Sequence, residues 1–433
     1  MILLLACSLH AGAQDKKTLK LDEAIDLGLQ NSKSLKGQEA KMEEATAALK
    51  EAVEKKLPNA SVASSYLRVY GGSVDIKSNN SSGGSGNPPP KVNQAAYGML
   101  NLSLPLYMGG KLRYGIESAE QLEKATKLDA ENNKEEVIQN TIEAYATLFK
   151  AGSAVRLLRE SLNQSRQREK DFTNLEKNGL MARNDLLKAQ LQTANIELNL
   201  LDAENNLQLA NVTLDLILGL PASTELSLDT TGINRKNDPR VLDDFLKAAL
   251  QNRKDRQAMN YRKKSLETGV LSVKAEKYPA LQLTGGYVAI DVPHVLSVVN
   301  AMNLGLGVSW SVSSLWKNKS KMQQAQARVK QIQISESMLD DQITLQVNKN
   351  YFSLVSLRKK IDVTSTALEQ AKENYKIVKN KFDNSLATTT ELLEADVARL
   401  QSSLASTLAQ ADAFVAYNKL LQTAGILSAE LKK

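Results

Sequence analysis

The chain has 433 residues, of which 42% are apolar, 24% are charged and only 5% are aromatic. This length allows two or three domains, and the shortage of aromatic residues favours long helices over a compact mixed fold. The net charge of +7 is distributed along the chain, and no basic stripe is interleaved with aromatic residues. These features argue against nucleic acid as a partner.

The first 13 residues, MILLLACSLHAGA, form a short apolar run that ends in two alanines separated by a glycine. This pattern predicts a secretory signal peptide (1–13) that is cut before Gln14. Cys7 follows Leu-Leu-Ala, so a lipidated N-terminus at Cys7 is the alternative. Cys7 is the only cysteine, which excludes a disulfide within one chain.

The sequence contains an internal duplication. The segment GLQN ends at Asn31, and ALQN ends at Asn252, 221 positions later. Further along, the offset becomes 206, and it relates Gly219 to Gly425. The first copy owes its extra residues to a tract rich in Ser, Gly, Asn and Pro (78–90), which predicts a long loop. We therefore predict two repeats, at 14–221 and 222–433.

Proline is absent from six long segments that we predict to be helices, because a proline inside a helix costs about 3 kcal/mol. They are 20–57, 111–178, 185–218, 240–278, 317–383 and 390–424. Two apolar stripes with heptad spacing run along the third of them, one from Leu187 to Leu201 and the other from Ile196 to Ile217. A simple two-helix coiled coil needs only one stripe, so this helix should contact neighbours on two sides.

Between the helices, four segments alternate apolar residues with small or polar ones. They are 60–70, 98–106, 281–287 and 302–312. This period over about ten residues is typical of strands in a transmembrane β-barrel, and a half-buried soluble sheet is the alternative. No stretch approaches 18 consecutive apolar residues after the signal, so the sequence predicts no membrane-spanning helix.

Aromatic residues concentrate in these segments and suit a belt at the membrane interface. The predicted belt comprises Tyr66, Tyr97, Tyr107, Tyr287, Trp310 and Trp316. Four strands cannot enclose a lumen, because the smallest known membrane barrels have about eight. Several copies must therefore combine, and three copies would supply twelve strands.

The sequence does not predict an enzyme. Once the signal is removed, His294 is the only histidine and no cysteine remains. One histidine cannot supply both a catalytic triad and a metal cluster, and the motifs of zinc proteases and phosphate-binding loops are absent. We predict neither a cofactor nor a metal.

The order helix, strand pair, long helix, helix occurs twice and resembles the TolC-like outer-membrane efflux proteins. The matching stretches are LKLDEAIDLGLQNSKSL, NLSLPLYMGGKLR, KNGLMARNDLLKAQLQTANIELNLLDAENN and LDLILGLP, with echoes in DDFLKAALQNRKD, KFDNSLATTTELLEADVARL and LLQTAG. The resemblance spans nearly the whole mature chain. It implies a mainly helical fold in which a homotrimer forms a 12-stranded transmembrane β-barrel, continued by an α-helical coiled-coil barrel in the periplasm of a Gram-negative bacterium.

The resemblance also implies that the chain is the outer-membrane exit duct of a tripartite efflux or type I secretion system. A periplasmic adaptor and an inner-membrane pump of the RND, ABC or MFS type would dock at the helical end, and outer-membrane lipid would surround the strands. A periplasmic coiled-coil scaffold or adaptor without a membrane barrel is the alternative.

By the same resemblance, the turns at 178–184 and 384–390 form the tip that contacts the adaptor, whereas two ordinary helical hairpins are the alternative. The tip residues are Gly179, Leu180, Met181, Ser385 (where the family prefers glycine), Leu386 and Ala387. Asn184 is expected to cap the helix after the first turn, and a threonine among 388–390 the helix after the second.

Acidic residues follow each tip, and the resemblance implies a gate at the periplasmic entrance. The gate residues are Asp185, Phe382, Glu391 and Glu394. Rings of carboxylates around a narrow mouth favour cations. The alternative is that acids in a first helical turn only stabilise the helix dipole.

Overall fold

The computed structural model describes residues 17–73, 91–229, 238–293 and 295–431. The predicted signal peptide, the predicted loop at 78–90 and His294 lie outside the described residues. In chain order the elements are β1 (Lys17–Leu19), α1 (Leu21–Asn31), α2 (Lys33–Glu54), β2 (Asn59–Ser73), β3 (Lys91–Met108), α3 (Lys111–Lys177), α4 (Arg183–Leu218), β4 (Leu226–Leu228), α5 (Leu242–Asn252), α6 (Lys254–Ala275), β5 (Ala280–Val292), β6 (Leu296–Ser309), α7 (Ser314–Asp383), α8 (Thr389–Thr423) and α9 (Leu427–Leu431).

Four of the six predicted helices are confirmed as α3, α4, α7 and α8, and the predictions at 20–57 and 240–278 are wrong in one respect. Each of these two segments is broken in two by a single non-helical residue, Ser32 with ψ 116° and Arg253 with ψ 124°. At the first break, Asn31 Nδ2 donates to the carbonyl of Leu218 at the end of α4, 2.7 Å away. No proline marks either break, so the sequence pattern missed both.

The four predicted strands form one antiparallel sheet in the order β2-β3-β5-β6. The strands are longer than the alternating pattern suggested, because β3 extends to 18 residues and β2 to 15. The prediction for 302–312 ran too far, since β6 ends at Ser309. The short parallel pair of β1 and β4 was not predicted. Within the described residues, no helix has the length and apolar content needed to cross a membrane.

The chain divides into two compact units. One unit contains residues up to 40 together with 128–257 and 337–433, and the other contains 41–127 and 258–336. The four-stranded sheet lies wholly in the second unit. The first unit contains the tips of α3, α4, α7 and α8 and most of the buried apolar residues.

A buried tyrosine fastens the small parallel pair in the first unit. The Tyr145 hydroxyl lies 3.0 Å from the carbonyl oxygen of Leu19 and 2.7 Å from that of Asp229. Tyr145 is fully buried, and burial raises the pKa of its hydroxyl to about 12. It therefore stays protonated and links α3 to the C-terminal ends of both short strands.

A buried carboxylate lies near the end of α4 in the same unit. Asp215 is fully buried, and its Oδ2 accepts a hydrogen bond from Asn211 Nδ2 at 2.8 Å. Its Oδ1 has no hydrogen-bond partner among the residues that the structure describes. Burial raises the pKa of this carboxyl group, because desolvation disfavours the charged form.

We expect Asp215→Asn to stabilise the protein, by about 1–2 kcal/mol in the free energy of unfolding. An acid whose pKa is raised by folding destabilises the native state at high pH, and this cost disappears as pH falls through the folded pKa. The gain should therefore shrink as the pH is lowered from 8 toward the ordinary aspartate pKa of about 4, as measured by thermal unfolding of both proteins across this range. A gain that does not depend on pH would contradict this explanation.

Candidate functional site

The two predicted tips have the same backbone geometry. At the first, Gly179 has φ +71°, its N–H donates to Glu176 O at 2.9 Å, and the N–H of Leu180 donates to Leu175 O at 2.9 Å. These two bonds are the pair that closes a helix through a left-handed residue. Asn178-Gly179 therefore ends α3 through a left-handed glycine.

The second tip repeats this geometry with a serine in the left-handed position. Ser385 has φ +58° and donates from its N–H to Phe382 O at 2.9 Å, and Leu386 N–H donates to Lys381 O at 2.7 Å. The departure from glycine at this position leaves the turn unchanged. Leu180 and Leu386 are each 76% exposed at the two tips, whereas Met181 and Ala387 are half-buried.

The helices that follow the tips begin differently. Thr388 caps α8 and forms a capping box, in which Glu391 N–H donates to Thr388 Oγ1 and Glu391 Oε2 accepts from Thr388 N–H at 2.6 Å. The threonine cap is thus confirmed. The predicted Asn184 cap is wrong, because α4 begins at Arg183, two residues earlier than expected, and Ala182 occupies the cap position without a side-chain hydrogen bond.

The acids assigned to the gate have different surroundings. Bonds from the Thr388 backbone and hydroxyl lower the pKa of Glu391, so this carboxylate is charged and already used as a cap. Glu394 is exposed on α8. Asp185 is half-buried and lies 3.5 Å from Lys188, whose Nζ donates to Thr390 Oγ1 at 3.0 Å. This lysine connects the two hairpins.

Phe382 lies beneath the tips in an apolar cluster that joins both hairpins. Its ring is 5.5 Å from that of Phe172, centroid to centroid. The buried members of the cluster are Phe172, Leu186, Ala189 and Leu392, and Met181 packs against them. Phe382 and Met181 thus hold the four helix ends together, and their packing is internal to the chain.

A buried ion network lies next to this cluster, and no sequence pattern predicted it. Arg168 Nη1 lies 3.0 Å from Asp396 Oδ2, and Arg399 Nη2 lies 2.8 Å from Asp396 Oδ1. The Asp396 side chain is 2% exposed and that of Arg168 is 10% exposed. Tyr375 completes the network, since Arg168 donates to its hydroxyl and Arg399 lies 4.3 Å from its ring centroid. The network connects α3, α7 and α8.

The register separates the sheet into an apolar face and a polar face. Paired residues point to the same side, and on one side they are almost all apolar. These are Val62, Tyr66, Leu100, Leu102, Leu104, Leu281, Leu283, Tyr287, Met302, Leu304, Leu306 and Val308. The opposite face carries Ser61, Ser65, Asn101, Ser103, Gln282, Thr284 and Asn303. Several apolar side chains are widely exposed, with Val62 at 80% and Met302 at 82%.

The tyrosines of the predicted aromatic belt do not all lie on the same face of the sheet. Tyr66 and Tyr287 lie on the apolar face, and Tyr107 pairs with Leu281 on the same face. Tyr97 pairs with Ser65 and lies on the polar face, so it does not share a surface with the other three tyrosines. A bulge between Pro105 and Tyr107 shifts the register of β3, which the simple alternating pattern does not anticipate.

The two tryptophans lie beyond the strands. Trp310 follows β6, is 49% exposed and donates from Nε1 to the carbonyl of Lys277 at 3.0 Å, and Trp316 is 63% exposed in the first turn of α7. Among the described residues, no three His, Cys, Asp or Glu side chains are grouped so that they could hold a metal ion.

Comparisons with solved structures identify outer-membrane channels. The CmeC outer membrane channel of Campylobacter jejuni superposes with a TM-score of 0.80 at 18% identity, covering 95% of this chain and 88% of the other. The outer membrane protein VceC of Vibrio cholerae gives 0.76 at 20% identity, covering 94% and 96%. The outer-membrane channel OprN gives 0.79 at 16% identity, covering 94% and 89%. The TM-scores show a shared fold, and at these identities they show the fold alone. No curated protein matches the sequence significantly.

One protein-family model matches most of the chain. The model of the outer membrane efflux protein family matches residues 24–220 and 245–426, one segment in each predicted repeat. The match confirms the resemblance, the duplicated fold, the function as an outer-membrane efflux channel and the location in the outer membrane of a Gram-negative bacterium with helices in the periplasm. The chain belongs to the outer membrane efflux protein family.

Proposed function

We propose that three copies of the chain close their sheets into one transmembrane barrel and conduct solutes or proteins passively out of the cell. The observation that carries this proposal is the sheet with one exposed apolar face and two unpaired edges, β2 and β6. An edge strand exposes unpaired backbone groups, which in a bilayer must find partners. The two edges are 15 and 14 residues long, so β6 of one copy can pair with β2 of the next.

An exposed apolar stripe on α4 supports assembly in the helical part. Of the two predicted stripes, the one from Ile196 to Ile217 is buried within the chain, with Leu207 and Ile217 half-buried. The other remains open, with Leu191 64% and Leu198 61% exposed. A heptad stripe without an internal partner fits a helix of a neighbouring copy.

Cross-linking between the two sheet edges tests the trimer. Ala63 lies on β2 and Gly305 on β6. The variant Ala63→Cys/Gly305→Cys, treated with a flexible bismaleimide in detergent, should yield covalent dimers and trimers on a denaturing gel. Ala63→Cys alone should stay monomeric on that gel. A protein that is soluble and monomeric without detergent, with no cross-linked species, would instead support a periplasmic scaffold.

The proposal extends to the tip, where a periplasmic adaptor carrying cargo from an inner-membrane pump would dock. Leu180 and Leu386 support this role, since both are apolar, exposed and held by the same rigid turn. Glu394 is exposed beyond the capping box, so in a trimer it can project toward the entrance. We assign the gate charge to Glu391 and Glu394, with Asp185 tied to Lys188.

Removing the gate charges should reduce cation selectivity. We expect Glu391→Gln/Glu394→Gln to move the reversal potential toward zero in planar bilayers under a KCl gradient, because a ring of six carboxylates becomes neutral. Glutamine at 391 preserves the capping box, so the turn should persist. The matched control is Glu369→Gln/Glu373→Gln, which removes two exposed charges from α7 away from the tip. An unchanged reversal potential in the gate variant would exclude this role.

A further inference from the structure

A dense group of basic residues lies where the sheet meets its helices. Met108 pairs with Ala280 and Ala280 pairs with Ser309, so the end of β3, the start of β5 and the end of β6 lie side by side. β2 also begins at this end, since Asn59 pairs with Ser103. All four connections to helices therefore meet at one end of the sheet, within a single compact unit.

Every one of these connections carries basic side chains. They are Lys55 and Lys56 before β2, Lys111 and Arg113 after β3, Lys274 and Lys277 before β5, and Lys317, Lys319 and Lys321 after β6. We call these nine residues the basic collar. The same connections contain four acids, Glu51, Glu54, Glu117 and Glu276, which leaves a net charge of +5 per chain.

Most of the collar is not neutralised within the chain. Glu276 accepts from Lys111 at 3.2 Å and from Lys321 at 2.8 Å, and Glu51 lies 3.0 Å from Lys55. The other six collar residues are exposed and have no ion pair among the described residues. They are Lys56, Arg113, Lys274, Lys277, Lys317 and Lys319. Six unpaired cations at one end of a sheet form a surface suited to anions.

The neighbours of the collar indicate which anion. Trp310 and Trp316 are exposed beside it, and Tyr107 closes the apolar face at the same end. Trp310 also donates to the carbonyl of the collar residue Lys277. The apolar face, the aromatic residues beside it and the lysines just beyond follow the order of the layers of a bilayer. These layers are the acyl chains, the interface and the headgroups.

We propose that the basic collar binds the headgroups of anionic phospholipids in the periplasmic leaflet of the outer membrane. This inference rests on the proposed membrane barrel. It adds that the barrel prefers anionic lipids as neighbours, and that contacts between the collar and the headgroups set the depth of the barrel in the bilayer. The lysine stems lie along the apolar boundary, and their ammonium groups contact phosphate oxygens.

The two tryptophans provide a direct readout, because they are the only ones in the chain and both adjoin the collar. The protein is reconstituted in phosphatidylcholine vesicles that contain 10% of either brominated phosphatidylglycerol or brominated phosphatidylcholine. Bromine quenches tryptophan fluorescence only at contact distance. We expect stronger quenching by the brominated anionic lipid, which indicates its enrichment around the collar, and a loss of this difference in high salt.

Two matched variants test whether the lipid preference depends on the collar or on the overall positive charge of the protein. Lys274→Gln/Lys277→Gln/Lys317→Gln/Lys319→Gln should weaken the preference for the anionic lipid by roughly tenfold or more. Lys359→Gln/Lys360→Gln/Lys372→Gln/Lys376→Gln removes four exposed charges from α7 elsewhere and should leave it intact. Inorganic phosphate at the same concentration should not compete, because a free anion lacks the apolar anchor.

Three outcomes are distinguishable. Equal quenching by both brominated lipids would overturn the lipid preference and leave the membrane barrel standing. Unchanged preference in the collar variant would also overturn it, because the anionic lipid would then bind elsewhere. Absence of quenching by either lipid would refute the proposed barrel itself.

Discussion

Asp396→Ala is expected to lower the free energy of unfolding by about 3–5 kcal/mol, among the largest effects of any single substitution in the helical tip. The Asp396 carboxylate is 2% exposed and lies within 3.0 Å of two guanidinium groups. Its removal leaves Arg168, which is 10% exposed, without a counter-charge in a buried site. Denaturant titration of the detergent-solubilised protein, followed by circular dichroism, measures the change.

An exposed ion pair between α3 and α4 provides the control. Arg159 Nη2 lies 2.6 Å from Glu204 Oε1, but these side chains are 61% and 38% exposed. Solvent screens such a pair, so Glu204→Ala should cost at most about 1 kcal/mol. Both substitutions remove a carboxylate from an arginine, and the two sites differ most in burial. Equal effects of the two substitutions would contradict the assigned importance of the buried network.

The same network has a functional consequence, because it connects the two hairpins beneath the proposed gate. Losing Asp396 should let the hairpins separate, and single-channel conductance of the variant in planar bilayers should rise. Arg168→Met/Asp396→Leu replaces the pair by apolar side chains of similar volume and should recover most of the lost stability. Unchanged conductance in the Asp396→Ala variant would mean that the network contributes to stability and has no effect on the gate.

The sequence predicted those parts of the fold that depend on local pattern. Helices α3, α4, α7 and α8 were located to within three residues, because a long proline-free segment with heptad spacing leaves few alternatives. The strands were found from their period of two. The tip turns at 178–184 and 384–390 were located from the resemblance to the family, with Ser385 at the position where the family prefers glycine.

Features that depend on distant contacts were missed. The breaks at Ser32 and Arg253 arise where a helix end packs against the end of another helix, and neither residue type signals a break. Asp396 and Arg168 are 228 positions apart, and nothing local distinguishes them from surface charges. Tyr97 was assigned to the aromatic belt by residue type, whereas its face follows from pairing with Ser65.

Gly219→Ala and Gly425→Ala are expected to destabilise the protein by about 3 kcal/mol each, for the same reason in both repeats. The two glycines have φ +70° and +69°, and a left-handed non-glycine residue costs about 1–2 kcal/mol. A Cβ at Gly219 would lie 2.6 Å from Asn31 Cβ, and one at Gly425 would lie 2.9 Å from Arg253 N. Both overlaps involve groups that cannot move freely, so strain adds to the conformational cost.

Two other glycines separate the conformational cost of such a substitution from the cost of the steric overlap. Gly179 has φ +71°, but a Cβ added there would meet no atom within 4 Å, so Gly179→Ala should cost only the conformational part, about 1–2 kcal/mol. Gly37 lies in α2 with open space around it, so Gly37→Ala should stabilise by about 0.5–1 kcal/mol. Thermal unfolding of the four variants should therefore rank Gly37→Ala above wild type, then Gly179→Ala, then the other two. If Gly219→Ala and Gly179→Ala lower the free energy of unfolding by the same amount, the close packing of Gly219 against Asn31 makes no contribution to stability.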